Sequence, residues 1–303
     1  VTRELTLFSV PKPFRGHFGV IQRNTLRSWS RLAGADVILL GDEPGTAETA
    51  RELGMRHVPE VGRNEYGTPL VPAIFEAAER AARTEWLAYV NADIILFGDF
   101  VAAAARVPFD SFLMIGRRWD LDVPEELDFA DPKWEAALRE RVQATGRRHA
   151  SPGLDYFLHR RGTWGRLPPF ALGRTAWDNW LLYRAKQLRV PVIDATPSVL
   201  VVHQDHDYSH AGGAKAVWNG PEAHRNRELS GRPASFYAVT DADWRLHPAG
   251  LSRVRGGRVW RELRKAWTAL PTWAQAGVRL AHSAATAPAC LLGWPRGSGG
   301  ERR

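Results

Sequence analysis

Apolar residues in the first third of the chain fall into short runs that alternate with stripes of helical spacing. Leu5, Leu7, Phe8 and Val10 make a β-prone run over 5–10. The prolines and glycine of Pro11-Lys12-Pro13-Phe14-Arg15-Gly16 cannot continue it, because proline has no N–H to give and glycine permits a turn. Val20, Ile21, Leu26, Trp29 and Leu32 then space as a helix packed on a sheet. The same alternation predicts a strand at 37–40, a helix at 46–53, a short strand at 57–58, an alanine-rich helix at 70–83 with a proline near its start, and a strand at 86–90. Strands and helices in turn, joined by short links, predict an α/β protein with a parallel, doubly wound sheet and right-handed crossovers.

The strand at 86–90 is the centre of this arrangement. Trp86, Leu87, Tyr89 and Val90 form a bulky, nearly continuous apolar run, as in a parallel strand buried on both faces. It ends on Asn91-Ala92-Asp93 and resumes at once as Ile94-Ile95-Leu96-Phe97. In an open α/β sheet the carboxyl ends of the strands face the ligand crevice, so Asn91 and Asp93 stand where a diphosphate or a metal could meet them. A turn cap after a core strand accounts for the same two residues.

Farther on, a strand at 111–116 ends on Arg117-Arg118-Trp119-Asp120, again placing charge at a strand end. Trp134, Leu138 and Val142 keep helical spacing in the charged stretch 124–148, which predicts an exposed helix or an inserted flap. A turn into a strand follows at 151–158, then a helix opened by Gly173-Arg174-Thr175-Ala176-Trp177-Asp178 and running to 188. Strands at 190–193 and 198–202 come next, the second ending on His203-Gln204-Asp205-His206-Asp207-Tyr208-Ser209-His210. Beyond it, Gly212-Gly213 and a polar helix at 222–229 suit either a lid or plain surface.

The stretch around Asn91-Ala92-Asp93 resembles the Asp-any-Asp region of nucleotide-sugar glycosyltransferases with the GT-A fold, with Asn91 in place of the first acid. A neutral amide oxygen binds a hard cation less strongly than a carboxylate, yet still bonds a ribose or sugar hydroxyl. The order of features over 5–210 is similar too: an acidic motif at a strand end, an Asp early in a later helix, and histidines after a late strand. The resemblance implies a GT-A-like, mostly parallel sheet with a nucleotide-binding first half and an acceptor-binding second half. It implies a nucleotide-diphosphate sugar as donor, a saccharide or glycolipid as acceptor, and Mn2+ or Mg2+ held by Asp93 with His203 or His206. Asp178 would be the general base of an inverting transfer. Pro11, Lys12 and Arg15 after the first strand, Arg63 and Asn64 before the long helix, and Asn91, Arg117 and Arg174 would surround the nucleotide and its phosphates. Trp177 and Trp180 would stack an acceptor sugar.

From the residues alone, Asp178 serves equally as an early-helix acid that complements the dipole, and Trp177, Trp180, Leu181 and Arg184 as a buried stripe. Two rival activities stand beside the transferase. A metal-dependent hydrolase could use the cluster 203–210, where three His and two Asp fall together, but it would leave Asp93 without a task. A nucleotidyltransferase shares the strand and helix order, but no GxGxxG or GxxxxGK[ST] follows the first strand.

Composition narrows the setting. With 303 residues, 44% hydrophobic and 24% charged, the chain can bury a sizeable core and is not wholly disordered. A net charge of +8 favours an acidic partner, which the resemblance makes a nucleotide diphosphate and not nucleic acid. The single Cys290 excludes an internal disulfide framework and a cysteine-based zinc site, and fits a reducing compartment. Thirteen tryptophans offer flat faces to sugars or to a core, and a non-catalytic sugar-binding module would need fewer strand-end acids. No basic and apolar leader precedes Leu5, and no window of about 18 apolar residues could span a bilayer, so a cytoplasmic location is expected. Arg253, Arg255, Arg258, Arg261, Arg264 and Lys265 alternate with Val259, Trp260, Leu263, Trp267 and Leu270. That is a basic amphipathic helix, suited to lie at the inner face of an anionic membrane or to pack on the domain before it. The expected organisation is a catalytic domain over 1–250 and a basic helical region with a disordered tail over 251–303.

Overall fold

The computed structural model describes residues 4–150, 153–206, 214–234 and 237–254. The chain runs β1 (Leu5–Ser9), α1 (Gly16–Trp29), β2 (Ala35–Leu40), α2 (Thr46–Glu52), β3 (Arg56–Val58), α3 (Val71–Ala81), β4 (Trp86–Val90), β5 (Ile94–Ile95) and α4 (Gly98–Arg106). It continues as β6 (Leu113–Ile115), β7 (Trp119–Leu121), α5 (Trp134–Thr145), β8 (Arg147–Arg148), β9 (Tyr156–Arg160), α6 (Trp177–Gln187), β10 (Val192–Asp194) and β11 (Val202–Gln204). The last elements are α7 (Ala214–Asn219), α8 (Pro221–Ala234, broken at Gly231), β12 (Trp244–His247) and β13 (Gly250–Arg253).

Nine strands form one sheet in the order β13-β12-β10-β6-β9-β4-β1-β2-β3. Its two halves are parallel within themselves, but β9 runs antiparallel to both β4 and β6, and β13 antiparallel to β12. Alternate residues of the central strands feed separate cores. Leu5, Leu7, Trp86, Ala88 and Val90 meet α1 and α4 through Leu26, Trp29, Phe100, Ala103 and Ala104. Phe8, Leu87 and Tyr89 meet α3 and α6 through Ile74, Phe75, Ala78, Trp177 and Leu181. This two-sided burial is why these strands read as continuous apolar runs.

A second, four-stranded sheet has the order β5-β11-β7-β8, and α5 covers it with Leu138 and Val142. The helix expected within 124–148 is therefore docked along one stripe and not a loose flap. It starts at Trp134, ten residues into that stretch's charge, because Pro132 and the turn at Asp131 precede it. Trp29 ties α1 to this sheet by donating its indole N–H to Ile94 O at 2.9 Å.

Three elements depart from the sequence expectation. The stretch after Phe97 forms a full helix, α4, whose Phe100, Ala103 and Ala104 share a buried face. The late strand is Val202–Gln204 and not 198–202, because it pairs with β5 and β7 at once. His203 thus sits inside a strand instead of after one. The sheet's last strand also takes in Leu251 to Arg253, while the rest of the amphipathic segment, the tail, Asp207 to His210 and Gly212-Gly213 lie outside the described residues.

Gly116, directly after β6, leaves no space for a side chain. A Cβ there would come 2.4 Å from the Tyr156 hydroxyl and 3.2 Å from Thr196 N. The Tyr156 ring is buried edge-on against Phe100, with centroids 5.3 Å apart, so it cannot swing aside. Gly116→Ala is expected to cost about 1–3 kcal/mol through overpacking. A fall in the urea midpoint with an unchanged slope would show it, and an unchanged midpoint would refute it.

Candidate active site and metal centre

Strand β4 delivers Asn91 and Asp93 to the edge of a cleft of about 300 Å3. The antiparallel β9 enters from that same edge, with Val90 opposite Tyr156, so the residue before it faces Asn91. Asn91 N donates to Asp155 O at 3.0 Å, and its Nδ2 donates to Asp155 Oδ1 at 3.0 Å. Arg118, just ahead of β7, donates Nη1 to the same Asp155 Oδ1 at 2.6 Å and Nε to Asp120 Oδ1 at 2.8 Å.

The small sheet builds the rest. Residues paired across a sheet project to one face, and His203 of β11 lies opposite Asp120 of β7 on one side and Ile94 of β5 on the other. Its Nδ1 comes 3.2 Å from Asp120 Oδ1, and its Nε2 comes 3.8 Å from Asp93 Oδ2. His206 Nε2 approaches Asp93 Oδ2 to 3.0 Å. One ligand atom from each of Asp93, His203 and His206 lies within 4.8 Å of the others. Asp120, His203 and Asp205 form a second such group that shares His203.

The first group fits a divalent cation. Asp93 Oδ1 is buried with no hydrogen-bond partner among the described residues, and burial of an unmatched carboxylate oxygen is costly. Burial works to raise the Asp93 pKa, but the His206 hydrogen bond and the nearby His203 and Lys12 charges win and hold it well below the usual carboxylate range. One carboxylate and two imidazoles suit a first-row divalent metal. Asp120 backs this group. Burial again works to raise its pKa, yet the close approach of His203, the hydrogen bond with His149 and the Arg118 guanidinium keep it depressed and ionised. A ligating histidine whose other nitrogen meets a carboxylate is fixed in tautomer and orientation.

The opposite wall is the loop into α6. Leu172, Gly173, Trp177 and Asp178 line it, with Val217 and Trp218 of α7 beside them. Gly173 has φ 68°, and Ala176, the N-cap, has φ 83°, a left-handed conformation that a non-glycine residue adopts at a cost of order 1–3 kcal/mol. This turn sets Asp178 in the first helical turn, facing the cleft. The helix dipole there favours the carboxylate. Burial outweighs it, and with the Asp155 charge adding and local backbone N–H groups opposing, the Asp178 pKa is pushed up to about 7.

Of the residues expected from sequence, the structure brings Lys12, Asn91, Asp93, Asp178, His203 and His206 to this cleft. Pro11 is buried and Arg15 is exposed at the N-cap of α1. Arg63 bonds Asp42 and Glu43 at 2.7 and 3.2 Å, so nearby acids take its charge. Asn64 caps its own loop through Tyr66 N and Thr68 N and donates to Glu222 at 2.6 Å. Arg174 lies ahead of α6 instead of within it and pairs with Glu222 at 2.7 Å. Arg117 gives its guanidinium to His149 O. Trp177 also borders the cleft but is buried, edge-on to Tyr89, Trp180 is buried in the core away from it, and the exposed indole of the cleft is that of Trp218.

Sequence reasoning did not single out Arg118, His149 or Trp218 as site residues, and gave Asp155 and Asp120 no first role. Arg118 is adjacent to Arg117 in a pair whose members face differently, which only the fold resolves. The Asp155 signal is the antiparallel direction of β9, invisible in an apolar run.

No family model matches the sequence, and no curated protein is significantly similar to it. Among solved structures, the mannosyltransferase PcManGT of Pyrobaculum calidifontis, in complex with GDP-Man and Mn2+, aligns with a TM-score of 0.51 at 14% identity over 95% of this chain and 76% of that one. TarS 1–349 of S. aureus in complex with UDP-GlcNAc gives 0.43 at 14% over 77% and 73%. Glucosyl-3-phosphoglycerate synthase of M. tuberculosis gives 0.41 at 15% over 68% and 73%. The likeness to the mannosyltransferase is one of fold, and the chain has the GT-A architecture that the strand-end Asn91-Ala92-Asp93 led us to expect.

Proposed function

We propose that the protein is a metal-dependent glycosyltransferase that moves a sugar from a nucleotide-diphosphate donor to a hydroxyl of a saccharide or glycolipid, with inversion at the anomeric carbon. The observation that carries this reading is the unmatched Asp93 Oδ1 beside His203 and His206, across one cleft from Asp178, whose carboxyl pKa burial pushes up to about 7. It stands on the GT-A fold, to which GDP-Man and Mn2+ are bound in the mannosyltransferase.

In this reading Asp93, His203 and His206 hold Mn2+ or Mg2+, which when bound offsets the charge of the leaving diphosphate. Asp120 keeps His203 oriented, and Lys12 brings a positive charge to the same edge of the cleft. Asp178 takes the acceptor hydroxyl proton as that oxygen bonds to the anomeric carbon, while the bond from that carbon to the diphosphate oxygen breaks and the nucleoside diphosphate leaves. A base with a pKa near working pH is well matched to that transfer. Trp218 offers the acceptor an exposed aromatic face. His203 and His206 draw on Asp93 from a distant strand, which supports the transferase over a hydrolase with locally gathered ligands. No helix among the described residues is long and apolar enough to cross a membrane. The basic segment beyond the last strand, 255–270, supports, on its sequence alone, a place at an anionic membrane surface.

UDP and GDP, each with and without Mn2+, give the test. A ligand at 100 times its Kd stabilises by about 2.7 kcal/mol, which for a domain of this size raises Tm by roughly 5–10 °C. The expected result is a shift that needs nucleotide and metal together. No shift with either nucleotide would sink the reading.

A further inference from the structure

Asp155 is buried, only 4% exposed, yet lines the cleft. Its Oδ1 is fully used, accepting from Arg118 Nη1 at 2.6 Å and from Asn91 Nδ2 at 3.0 Å. Its Oδ2 is buried and has no partner among the described residues. A buried carboxylate oxygen left unmatched is costly, and its side chain is clamped from one side only. Among the described residues no cation group claims it, because the two sets of closely spaced ligand atoms there are Asp93, His203, His206 and Asp120, His203, Asp205.

The same geometry accounts for Asn91. An Asp at that position would set a second carboxylate against Asp155 Oδ1 at the distance where Asn91 now donates, and two carboxylates that close do not both ionise. The carboxylate at this edge of the cleft is therefore that of Asp155, directly ahead of β9, and not one at the end of β4. We propose that Asp155 Oδ2 accepts a sugar hydroxyl of the donor, supplying from β9 the carboxylate that the strand-end Asn91 lacks. The group it reads is a hydroxyl donor near the diphosphate, either on the ribose of the nucleotide or on the sugar to be transferred. Charge-assisted bonds of this kind discriminate strongly against a ligand lacking the hydroxyl. This inference rests on the sugar-nucleotide reading of the cleft.

Asp155→Asn is the informative variant, because its Oδ1 still accepts from Arg118 and Asn91 while the other position changes from acceptor to donor. Binding of UDP, GDP, UDP-glucose and GDP-mannose, each with Mn2+, is measured by calorimetry for parent and variant, together with the 2′-deoxy and 3′-deoxy forms of UDP and GDP on the parent. A hydrogen bond to a charged group corresponds to a loss of roughly 10–100-fold. If the hydroxyl is on the ribose, the variant loses that factor for bare nucleotide and nucleotide sugar alike, and one deoxy form loses it on the parent. If it is on the transferred sugar, only the nucleotide sugars weaken. Unchanged affinity of the variant for all four ligands overturns the proposal, as does a variant that binds them all normally but no longer turns over. Should the variant fail to fold, the parent still decides: equal affinity for the deoxy and parent nucleotides, with no gain from the attached sugar, also overturns it. Failure of the parent to bind either nucleotide with metal removes the sugar-nucleotide reading itself, a result distinct from all of these.

Discussion

Asp178→Asn is expected to lower turnover on the order of 10²-fold or more while leaving nucleotide affinity within a few fold. Asparagine keeps the shape of the side chain at the start of α6 and removes only its capacity to take a proton. The donor is held by other groups in this reading, so its binding should survive. The parent has a further signature. Burial pushes the Asp178 pKa up to about 7, and a base must be ionised to act, so kcat/KM should rise with pH through that value and level off above it. The variant's residual rate should lack that inflection.

Stability runs the other way. Because burial raises this pKa from 3.8 in the unfolded chain, the native state holds a proton between about pH 4 and 7 that the unfolded state has lost. Asp178 therefore subtracts stability as pH rises through that window, and Asp178→Asn should be the more stable protein at pH 8 relative to its parent than at pH 4. Near-normal turnover in the variant, or a product with the donor's anomeric configuration, would end the assignment, and Asp155 and Asp120 would be the next carboxylates to test.

Asp93→Ala carries the other large effect: Mn2+ affinity in the presence of nucleoside diphosphate should fall by at least about 10²-fold, judged against the smaller losses seen when only an outer partner of a ligand is removed. The change takes away the shared anion of His203 and His206, and with it the oxygen that has no partner among the described residues. The packing beneath it should persist, since Val90, Ile94 and Ile95 are buried independently of the Asp93 side chain. A titration of free Mn2+ by electron paramagnetic resonance, with far-ultraviolet circular dichroism as the control for folding, separates the two. A folded variant that binds metal and nucleotide like the parent would show that the metal is held elsewhere.

Much of the scaffold was legible because apolar spacing reports burial, and burial is a local property of each element. The strand Trp86–Val90 and the helices α1 to α3 follow directly from it. Asp93 was legible because the end of such a strand has a predictable position in an open sheet. What spacing does not report is direction and partnership. The reversal of β9, which puts Asp155 beside Asn91, leaves its apolar pattern unchanged. Arg63 and Arg174 looked like phosphate binders, yet whether a guanidinium is available depends on acids such as Asp42, Glu43 and Glu222 that the fold brings from elsewhere. The α4 helix escaped because its alanines carry too little hydrophobic contrast to mark a stripe beside the apolar run 94–97.

In the small sheet, β11 lies between β5 and β7, so the latest strand of the three in the chain fills the gap between the two earlier ones. During synthesis or refolding, Asp93 and Asp120 must wait for His203 and His206, which arrive with that insertion; His206 is 113 residues beyond Asp93. A cation held by Asp93, His203 and His206 would therefore be unable to template the early steps, and its capture would mark the closing of a long loop, whose entropy has to be met by the sheet itself. Mn2+ should accordingly slow unfolding of the finished protein much more than it speeds folding, and chains ending before β11 should fail to retain the ion even where their first sheet has formed.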